Sequence, residues 1–440
     1  MSNACVPRSN RRCLAAPDEF AARQRGAATL IVVMVLFFVV SLVAAYASRN
    51  LLFEQKTAAN QYRSTAVLEA ADAGLHWATS MLNSGRIGAT CLPSTNPADT
   101  SFRERYLKID DEGVITPITL PAPSTVALNP SCVFDGTTWQ CSCPTTTAPE
   151  LAAPGGNEMF PAFRLRFVAM PTRPGLVRIQ VNACSRADSA CLDFPATAVA
   201  NEARVTVSAI LSLKGGVASV PAAALTARGS VNLGGAAMTL ANTDPRTGVT
   251  VNAGAAVTTA GLNLLTAPGS PASGSVSDVD PALAGLTLAP SNTMFAKTFG
   301  LWPADYRAQP GAVVLPCGGT CTAAQVRAAA SQYPGLVIWV DGALDIDTGG
   351  DIGTLDQPVV IVVTGGVQFT AAATVHGLIY TQAAPWTTSG AATTVRGAVI
   401  AEGNVDGNSA ATLVYDATVL SRLRLKTGSF VVVPGSWRDF

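Results

Sequence analysis

The longest apolar stretch of the chain lies near its N-terminus, from Ala27 to Ser48. It contains no charged residue, no proline and no glycine. A helix rises about 1.5 Å per residue, so these residues would span roughly 30 Å, the thickness of a bilayer's hydrocarbon core. Because only a helix pairs its own backbone groups in lipid, the stretch predicts a membrane helix. Its large apolar residues include Leu30, Ile31, Val35, Phe37, Phe38 and Leu42.

The helical pattern continues beyond the apolar stretch. Apolar residues recur at steps of three and four, which is one face of a helix; they are Ala59, Tyr62, Ala66, Ala70, Ala73, Trp77 and Met81. No proline lies between Gly26 and Leu92. The pattern predicts one helix over residues 27–84, apolar in its first half and amphipathic in its second. The alternative, a secretory signal peptide, has a shorter apolar core that ends at a small-residue cleavage site.

A basic leader, residues 1–26, precedes this helix and carries Arg8, Arg11, Arg12, Arg23 and Arg25. Positive residues flanking a membrane helix are retained on the cytoplasmic side. The leader is therefore expected to be cytoplasmic, and the helix is expected to cross the membrane once. Almost all of the chain would then lie outside the cytoplasm.

Residues 85–215 read as a small α+β domain. Residues 163–168 and 176–181 alternate between apolar and polar side chains around a turn at 172–175, which predicts a β-hairpin. A third strand is predicted at residues 203–213. The apolar positions would face the helix, and the solvent face would carry Arg164, Arg166, Arg178 and Gln180.

The remainder, residues 216–440, is rich in small residues and nearly free of charge. Short β-rich runs end in Gly or Asn, and His376–Tyr380 and Arg396–Ile400 follow one another twenty residues apart. Such spacing predicts stacked turns of a β-rich, solenoid-like (parallel β-helix) domain. A β-sandwich is the alternative, since short strands with glycine turns also suit it. A helical insertion is expected at about 281–334. The overall fold class is thus α+β or mainly β.

The composition of the chain limits which kinds of partner and which cellular compartment are expected. The 440 residues carry 29 basic and 29 acidic side chains, with no basic stripe of the kind that binds nucleic acid. Eight cysteines lie after the membrane helix, an even number that predicts disulfides in an oxidising compartment. Cys184 with Cys191 and Cys317 with Cys321 are the local candidates, whereas pairing among Cys91, Cys132, Cys141 and Cys143 stays open. Zinc binding is the alternative, but the chain has only two histidines.

The N-terminal residues resemble those of the PilX family of minor type IV pilins, which is related to the GspK pseudopilin of type II secretion. The resemblance is carried by the leader ending in Arg25-Gly26, by the apolar stretch, and by Leu-Glu-Ala-Ala-Asp-Ala-Gly-Leu at residues 68–75. It implies cleavage by a prepilin peptidase between Gly26 and Ala27, and helix packing with other minor and major pilins. It also implies a pilin-like fold for residues 85–215. The implied location is the inner membrane, with the bulk periplasmic, and the pilus or cell surface after assembly.

Two positions depart from the major-pilin pattern. The mature chain would begin with Ala27 instead of Phe or Met, and its fifth residue would be Ile31 instead of Glu. In major pilins that Glu is thought to neutralise the N-terminal amine of a neighbouring subunit. A buried unpaired charge is costly, so a subunit without the Glu is expected at the tip of a fibre.

Catalytic motifs are missing from the sequence. There is no Walker A loop, no HExxH and no GxSxG, and no cofactor is expected. One acidic loop partly resembles a calcium-binding loop, with candidate ligands Asp345, Asp347, Asp351 and Asp356. An acidic β-turn cluster without metal is the alternative.

These observations predict a structural, non-enzymatic minor pilin whose outer part caps a fibre, primes its assembly or mediates contacts. Three alternatives stay open. The chain could be a type II secretion pseudopilin of the GspK kind, or a membrane-anchored glycan-active β-helix enzyme that uses Asp345 or Asp347. It could also be a static envelope anchor that keeps residues 1–26.

Overall fold

A computed structural model gives the fold of the chain. It describes residues 22–119, 128–145, 151, 154–155, 159–195, 199, 202–232, 238–288, 291–383, 386–388, 392–406 and 411–439. Two units are present, Met1–Arg63 and Ser64–Phe440. The first 21 residues, with three of the leader arginines and both leader cysteines, lie outside the described part.

Helix α1 runs from Ala22 to Leu82. It begins inside the predicted leader, where Arg23, Gln24 and Arg25 are good helix formers. The buried face of its second half differs from the predicted face by about one position, and comprises Val67, Ala70, Ala71, Gly74, Leu75, Ala78 and Leu82. Tyr62, predicted to face the sheet, is 69% exposed. Small residues dominate the buried face because they let the helix backbone approach the sheet.

An antiparallel sheet packs against this half of α1. Six strands form it, in the order β25 (Gly428–Val432), β7 (Arg204–Gly215), β6 (Leu176–Cys184), β5 (Ala162–Ala169), β3 (Ser131–Phe134) and β4 (Trp139–Ser142). Strands β1 (Leu107–Ile109) and β2 (Ile115–Pro117) form a separate pair. The elements up to β7 are α2 (Phe102–Tyr106), β1 (Leu107–Ile109), β2 (Ile115–Pro117), β3 (Ser131–Phe134), β4 (Trp139–Ser142), β5 (Ala162–Ala169), β6 (Leu176–Cys184), α3 (Ser189–Leu192) and β7 (Arg204–Gly215). The predicted hairpin corresponds to β5 and β6, and the third predicted strand corresponds to β7.

The inward face of the hairpin is apolar, as its alternation requires. Phe163, Leu165 and Phe167 of β5 share one core with the buried face of α1. The prediction that Arg164 faces solvent is wrong, because this residue is only 7% exposed and its guanidinium pairs with Asp193. The segment after β6, which contains α3, supplies that carboxylate. Alternation along a strand could not reveal this cover.

The next part of the chain is rich in short strands. It contains β8 (Ala223–Ala227), β9 (Val231–Asn232), β10 (Met238–Asn242), β11 (Val249–Ala253), β12 (Val257–Thr258), β13 (Leu262–Thr266), the 3-10 helix η1 (Ala272–Ser275), β14 (Val276–Ser277), α4 (Pro281–Ala284), α5 (Thr293–Phe299), α6 (Pro303–Arg307), β15 (Ala312–Thr322) and α7 (Ala323–Gln332). It continues with β16 (Val337–Ile346), β17 (Gly350–Ile352), β18 (Val359–Val363), β19 (Val367–Phe369), β20 (Ala373–Thr381), β21 (Trp386–Thr388), β22 (Thr394–Ala401), β23 (Val405–Asp406), β24 (Thr412–Tyr415), α8 (Ala417–Lys426) and β25 (Gly428–Val432).

Seventeen of these described strands, β8 to β24, form one sheet in which every aligned pair is parallel. Strands lie in register with one another: β16 aligns with β18, β18 with β20, and β20 with β22. Parallel pairing excludes the antiparallel β-sandwich considered as the alternative. The two repeats seen in the sequence, at His376 and Arg396, are direct register partners.

The parallel sheet is built from two chain segments that meet in its middle. Strand β22 pairs with β8, so residues 394–401 lie beside residues 223–227. From that junction one segment extends through β11 to β14, and the other extends back through β20 and β16 to β15. One apolar core runs through both segments.

The region predicted as a helical insertion is only partly helical. Helices α4, α5, α6 and α7 are present, but residues 312–322 form the long strand β15. Its apolar start, Val313 to Leu315, aligns with Ile338 to Val340 of β16. Pairing with a formed neighbouring strand overrides the local pattern there.

The predicted division at residue 215 also differs from the structure. Strand β25, near the C-terminus, pairs antiparallel with β7 and belongs to the first sheet. Phe430 of β25 is buried in the same core as α1. The two sheets therefore share one compact unit that begins at Ser64.

Four disulfides join the eight cysteines that follow the apolar stretch. The two predicted local pairs, Cys184–Cys191 and Cys317–Cys321, are present. The pairs that the sequence left open are Cys91–Cys143 and Cys132–Cys141.

Candidate functional site

The first half of α1 exposes a continuous apolar surface, which we call the apolar stem (residues 28–53). All its described side chains are exposed, including Phe37 at 74% and Phe38 at 64%. The other predicted stem residues, Leu30, Ile31, Val35 and Leu42, are between 55% and 63% exposed. Each buried large apolar side chain is worth about 1.5–3 kcal/mol, so this surface strongly favours an apolar environment.

The stem offers little besides apolar contact. Its polar side chains are few, and the Ser48 hydroxyl donates to the Ala45 carbonyl within the helix. The first charged residue after the stretch, Arg49, lies over the ring of Phe53. Within the described part of the chain, α1 is the one helix long and apolar enough to cross a membrane. The stem can therefore bind lipid or other apolar helices.

The second half of α1 is held by the sheet through close contacts. A Cβ atom placed on Gly74 would lie 2.9 Å from both Phe163 and Val181, so only glycine fits there. Trp77 packs edge-on against Phe102 at 5.4 Å and tilted against Phe163 at 5.7 Å. These contacts fix the helix firmly to the antiparallel sheet.

The C-terminal end of α1 is capped by a buried arginine. Arg103 donates hydrogen bonds to the carbonyls of Leu82, Gly335 and Gly428, at 2.8 to 3.0 Å. Burial lowers its pKa to about 10. The cation meets the negative end of the helix dipole and joins α1 to β25 and to the turn before β16. Asn83 adds two hydrogen bonds of 2.8 Å to the backbone of Phe430.

Sequence reasoning missed Arg103, although one signal was readable. Ser101-Phe-Arg-Glu104 is a capping box, which marks the start of a short helix. The motif places α2, but two of the three carbonyl partners of Arg103 come from segments more than 200 residues away.

The predicted processing residues lie in α1. Gly26 and Ala27 fall within Ala22–Leu82, and their side chains are outside the described part. Cleavage between them stays a prediction.

The predicted calcium ligands do not form a metal site. Asp345 accepts a hydrogen bond from Thr370, Asp347 accepts one from the Ala323 backbone, and Asp356 pairs with Arg422. The fourth, Asp351, lies in β17. Across the described residues, no group of three or more His, Cys, Asp or Glu side chains is arranged to hold a metal. Strand and helix packing gives Asp345, Asp347 and Asp356 separate partners, so this geometry does not support the expected calcium loop.

One buried acid was not anticipated from the sequence. Glu402 is 2% exposed and accepts hydrogen bonds from Asn292 at 2.6 Å and from Tyr380 at 2.7 Å. Burial raises the pKa of Glu402, partly offset by these donors and by Arg228. Asn292 also caps α5, so Glu402 ties the helical insertion to the parallel sheet.

Comparison with known proteins identifies the N-terminal segment. Residues 25–76 match the PilX N-terminal family model, so the resemblance seen in the sequence is confirmed for that segment. No curated protein is significantly similar to the chain. Among solved structures, the competence-associated pilin ComZ from Thermus thermophilus is 11% identical, over 86% of this chain and 97% of that chain. Its TM-score of 0.22 is too low to indicate a shared fold.

Proposed function

We propose that this chain is a non-enzymatic minor pilin. The observation that carries the proposal is the division of α1: residues 67–82 pack against the chain's own sheet, whereas the stem exposes every described side chain. The match of residues 25–76 to the PilX N-terminal model supports it. A stem of this kind is suited to packing among the helices of other minor and major pilins.

In this proposal the stem first lies in the inner membrane, with the basic leader in the cytoplasm and Ser64–Phe440 in the periplasm. A prepilin peptidase removes residues 1–26, and assembly then moves the chain into a fibre at the cell surface. Ile31 leaves the mature fifth position without a carboxylate, which suits a place at the fibre tip. The parallel strands would form a solenoid whose surface caps the fibre or contacts a partner.

The test is peptide mass spectrometry of the N-terminus, comparing membranes with sheared surface fibres. A mature chain starting at Ala27 in the fibre fraction is the expected result. Processed chain confined to membranes would instead indicate a secretion pseudopilin of the GspK kind. An intact segment from Met1 to Gly26 would overturn the proposal and leave a static anchor.

A further inference from the structure

A cavity of about 200 Å³ lies between the parallel sheet and helices α4 and α5. Its floor continues a column of register partners that faces away from the solenoid core. The column is apolar where α5 and α6 cover it, and there it consists of Trp339, Val362, Tyr380 and Ile400. It becomes polar with the next two partners, Thr226 and Asn252, which line the cavity. The cavity thus lies where this face of the sheet changes from apolar to polar.

Two acceptors belong to this part of the cavity. The Oδ1 atom of Asn252 is buried, and no described residue donates a hydrogen bond to it. Asp280 lies close by, because its backbone N–H donates to the carbonyl of Ala253 at 2.9 Å. Its Oδ1 atom caps α4, whereas Oδ2 accepts no hydrogen bond from a described residue. A buried acceptor without a donor costs folding free energy, so a donor in the cavity would be bound.

The residue before Asp280 is strained. Val279 has a φ of +52°, and its side chain is 62% exposed. A left-handed backbone is rare for a β-branched residue, and such strain is concentrated at ligand-binding and active sites. The N–H groups of Val279 and Asp280 donate to the carbonyls of Ala255 and Ala253. These bonds hold the strained turn on the sheet and fix the position of Asp280.

A second wall of the cavity, formed by α5, carries a cation. Lys297 lines the cavity, and its ammonium group forms no ion pair with any described residue. Lys297 and Asp280 therefore line one cavity without contacting each other, which leaves both charges for a bound molecule. None of the lining residues is aromatic, and the large apolar ones are Val220, Pro221, Leu283, Leu286, Met294 and Ile400.

We propose that this cavity binds a free α-amino acid with an aliphatic side chain. The ammonium group of the ligand donates to Asn252 Oδ1 and to the Asp280 carboxylate, and its carboxylate accepts from Lys297. The aliphatic side chain lies against the apolar lining. A neutral sugar would leave both charges of the cavity without an ionic partner, and a simple cation or anion would leave one; hydrogen bonds between ionised groups are the stronger ones. The proposal goes beyond the pilin role, because every residue of the site lies in the unit Ser64–Phe440.

Isothermal titration calorimetry of the full chain in detergent with L-leucine tests the site. Two analogues each remove one charged group: L-leucinamide lacks the carboxylate, and 4-methylpentanoate lacks the ammonium group. We expect leucine to bind saturably at one molecule per chain. Each analogue should bind at least about tenfold more weakly, because a hydrogen bond to a charged group is lost. Absence of leucine binding, or equal affinity for either analogue, would overturn the proposal.

Two variants assign the contacts to this cavity. Lys297→Met removes the cation, and Asp280→Asn removes the anion but keeps an N-cap acceptor for α4. We expect each to weaken leucine binding about tenfold, and Lys297→Met to bind leucine and leucinamide equally. Lys108→Met is the control, since Lys108 is an exposed lysine outside the cavity. Unchanged affinity in both cavity variants, or an equal loss in the control, would overturn the proposal; the N-terminal mass spectrum tests the pilin role separately.

Discussion

At the scale of single residues, two buried ionisable groups, Arg103 and Glu402, connect segments of the unit Ser64–Phe440 that are distant in sequence. Arg103 donates hydrogen bonds to three backbone carbonyls. Its guanidinium carbon lies 5.1 Å from the centroid of the Phe430 ring. Glu402 differs, because its donors are the neutral side chains of Asn292 and Tyr380. A buried carboxylate without a hydrogen-bonded cation costs folding free energy.

The raised pKa of Glu402 predicts the direction of a pH effect. The pKa of Glu402 is higher in the folded state than in the unfolded state. The stabilising contribution of Glu402 to folding is therefore fully present below the unfolded-state pKa, and it is lost as the pH rises through the folded-state pKa. Glu402→Gln keeps an acceptor for Asn292 and Tyr380 but removes the charge. We expect the variant to be more stable than wild type above that window and equally stable below it, measured by thermal unfolding in detergent between pH 4 and pH 8.

Glu402→Ala is the control for this prediction. It leaves two buried donors without an acceptor, which costs about 1–3 kcal/mol for each. Destabilisation by Glu402→Gln at high pH would contradict the interpretation.

At the scale of elements, α1 joins two environments within one helix. Its second half needs glycine at residue 74, where the helix backbone approaches Phe163 and Val181. Its first half needs an unbroken apolar surface, because it has few polar side chains to offer a partner. Each half therefore has its own sensitivity to substitution.

Gly74→Leu tests the packed half. The side chain cannot fit against Phe163 and Val181, and such overpacking costs about 1–3 kcal/mol. Ser80→Leu is the matched control, since it places the same leucine side chain at an exposed position of α1. Thermal unfolding should show a lower midpoint for Gly74→Leu alone; an equal shift in both variants would contradict close packing at Gly74.

Phe38→Lys tests the stem. A lysine in the middle of a membrane helix costs about 2.5–3.5 kcal/mol on insertion scales. We expect less chain in carbonate-washed membranes. Phe53→Lys is the control, because Phe53 is similarly exposed, at 59% against 64%, but already neighbours Glu54 and Lys56. Equal loss in both variants would show that position in the stretch does not matter.

At the scale of the whole molecule, contacts between segments distant in sequence hold the unit Ser64–Phe440 together. Strand β25 returns to the first sheet, β22 meets β8, and Cys91–Cys143 closes a loop of 52 residues. By chain entropy, that disulfide contributes about 4 kcal/mol and the 7-residue loop of Cys184–Cys191 about 2.5 kcal/mol.

Replacing both cysteines of each pair by serine checks this ranking. Thermal unfolding without reductant should show a larger loss of stability for Cys91→Ser with Cys143→Ser than for Cys184→Ser with Cys191→Ser. The reverse order would show that local strain or packing outweighs loop closure.

The sequence by itself determined the features whose signal is local. Residues close together in the sequence are enough to predict the apolar stretch, the alternation of β5 and β6, and the two short-range disulfides. The match to the PilX N-terminal segment is local in the same sense. A periodic pattern predicts which face of an element is apolar. For α1 the predicted face differs from the buried face by about one position.

Only the tertiary structure decided what each face meets. Periodicity does not name a partner, so the return of β25, the β22–β8 junction and the burial of Arg164 by Asp193 were not readable from the chain. The acidic loop at residues 345–356 shows the same limit of local sequence patterns. The spacing of its carboxylates suggested that they bind one calcium ion together, whereas packing gives them separate partners. Contacts between distant segments depend on the free energy of the whole packed unit, which no short window of sequence contains.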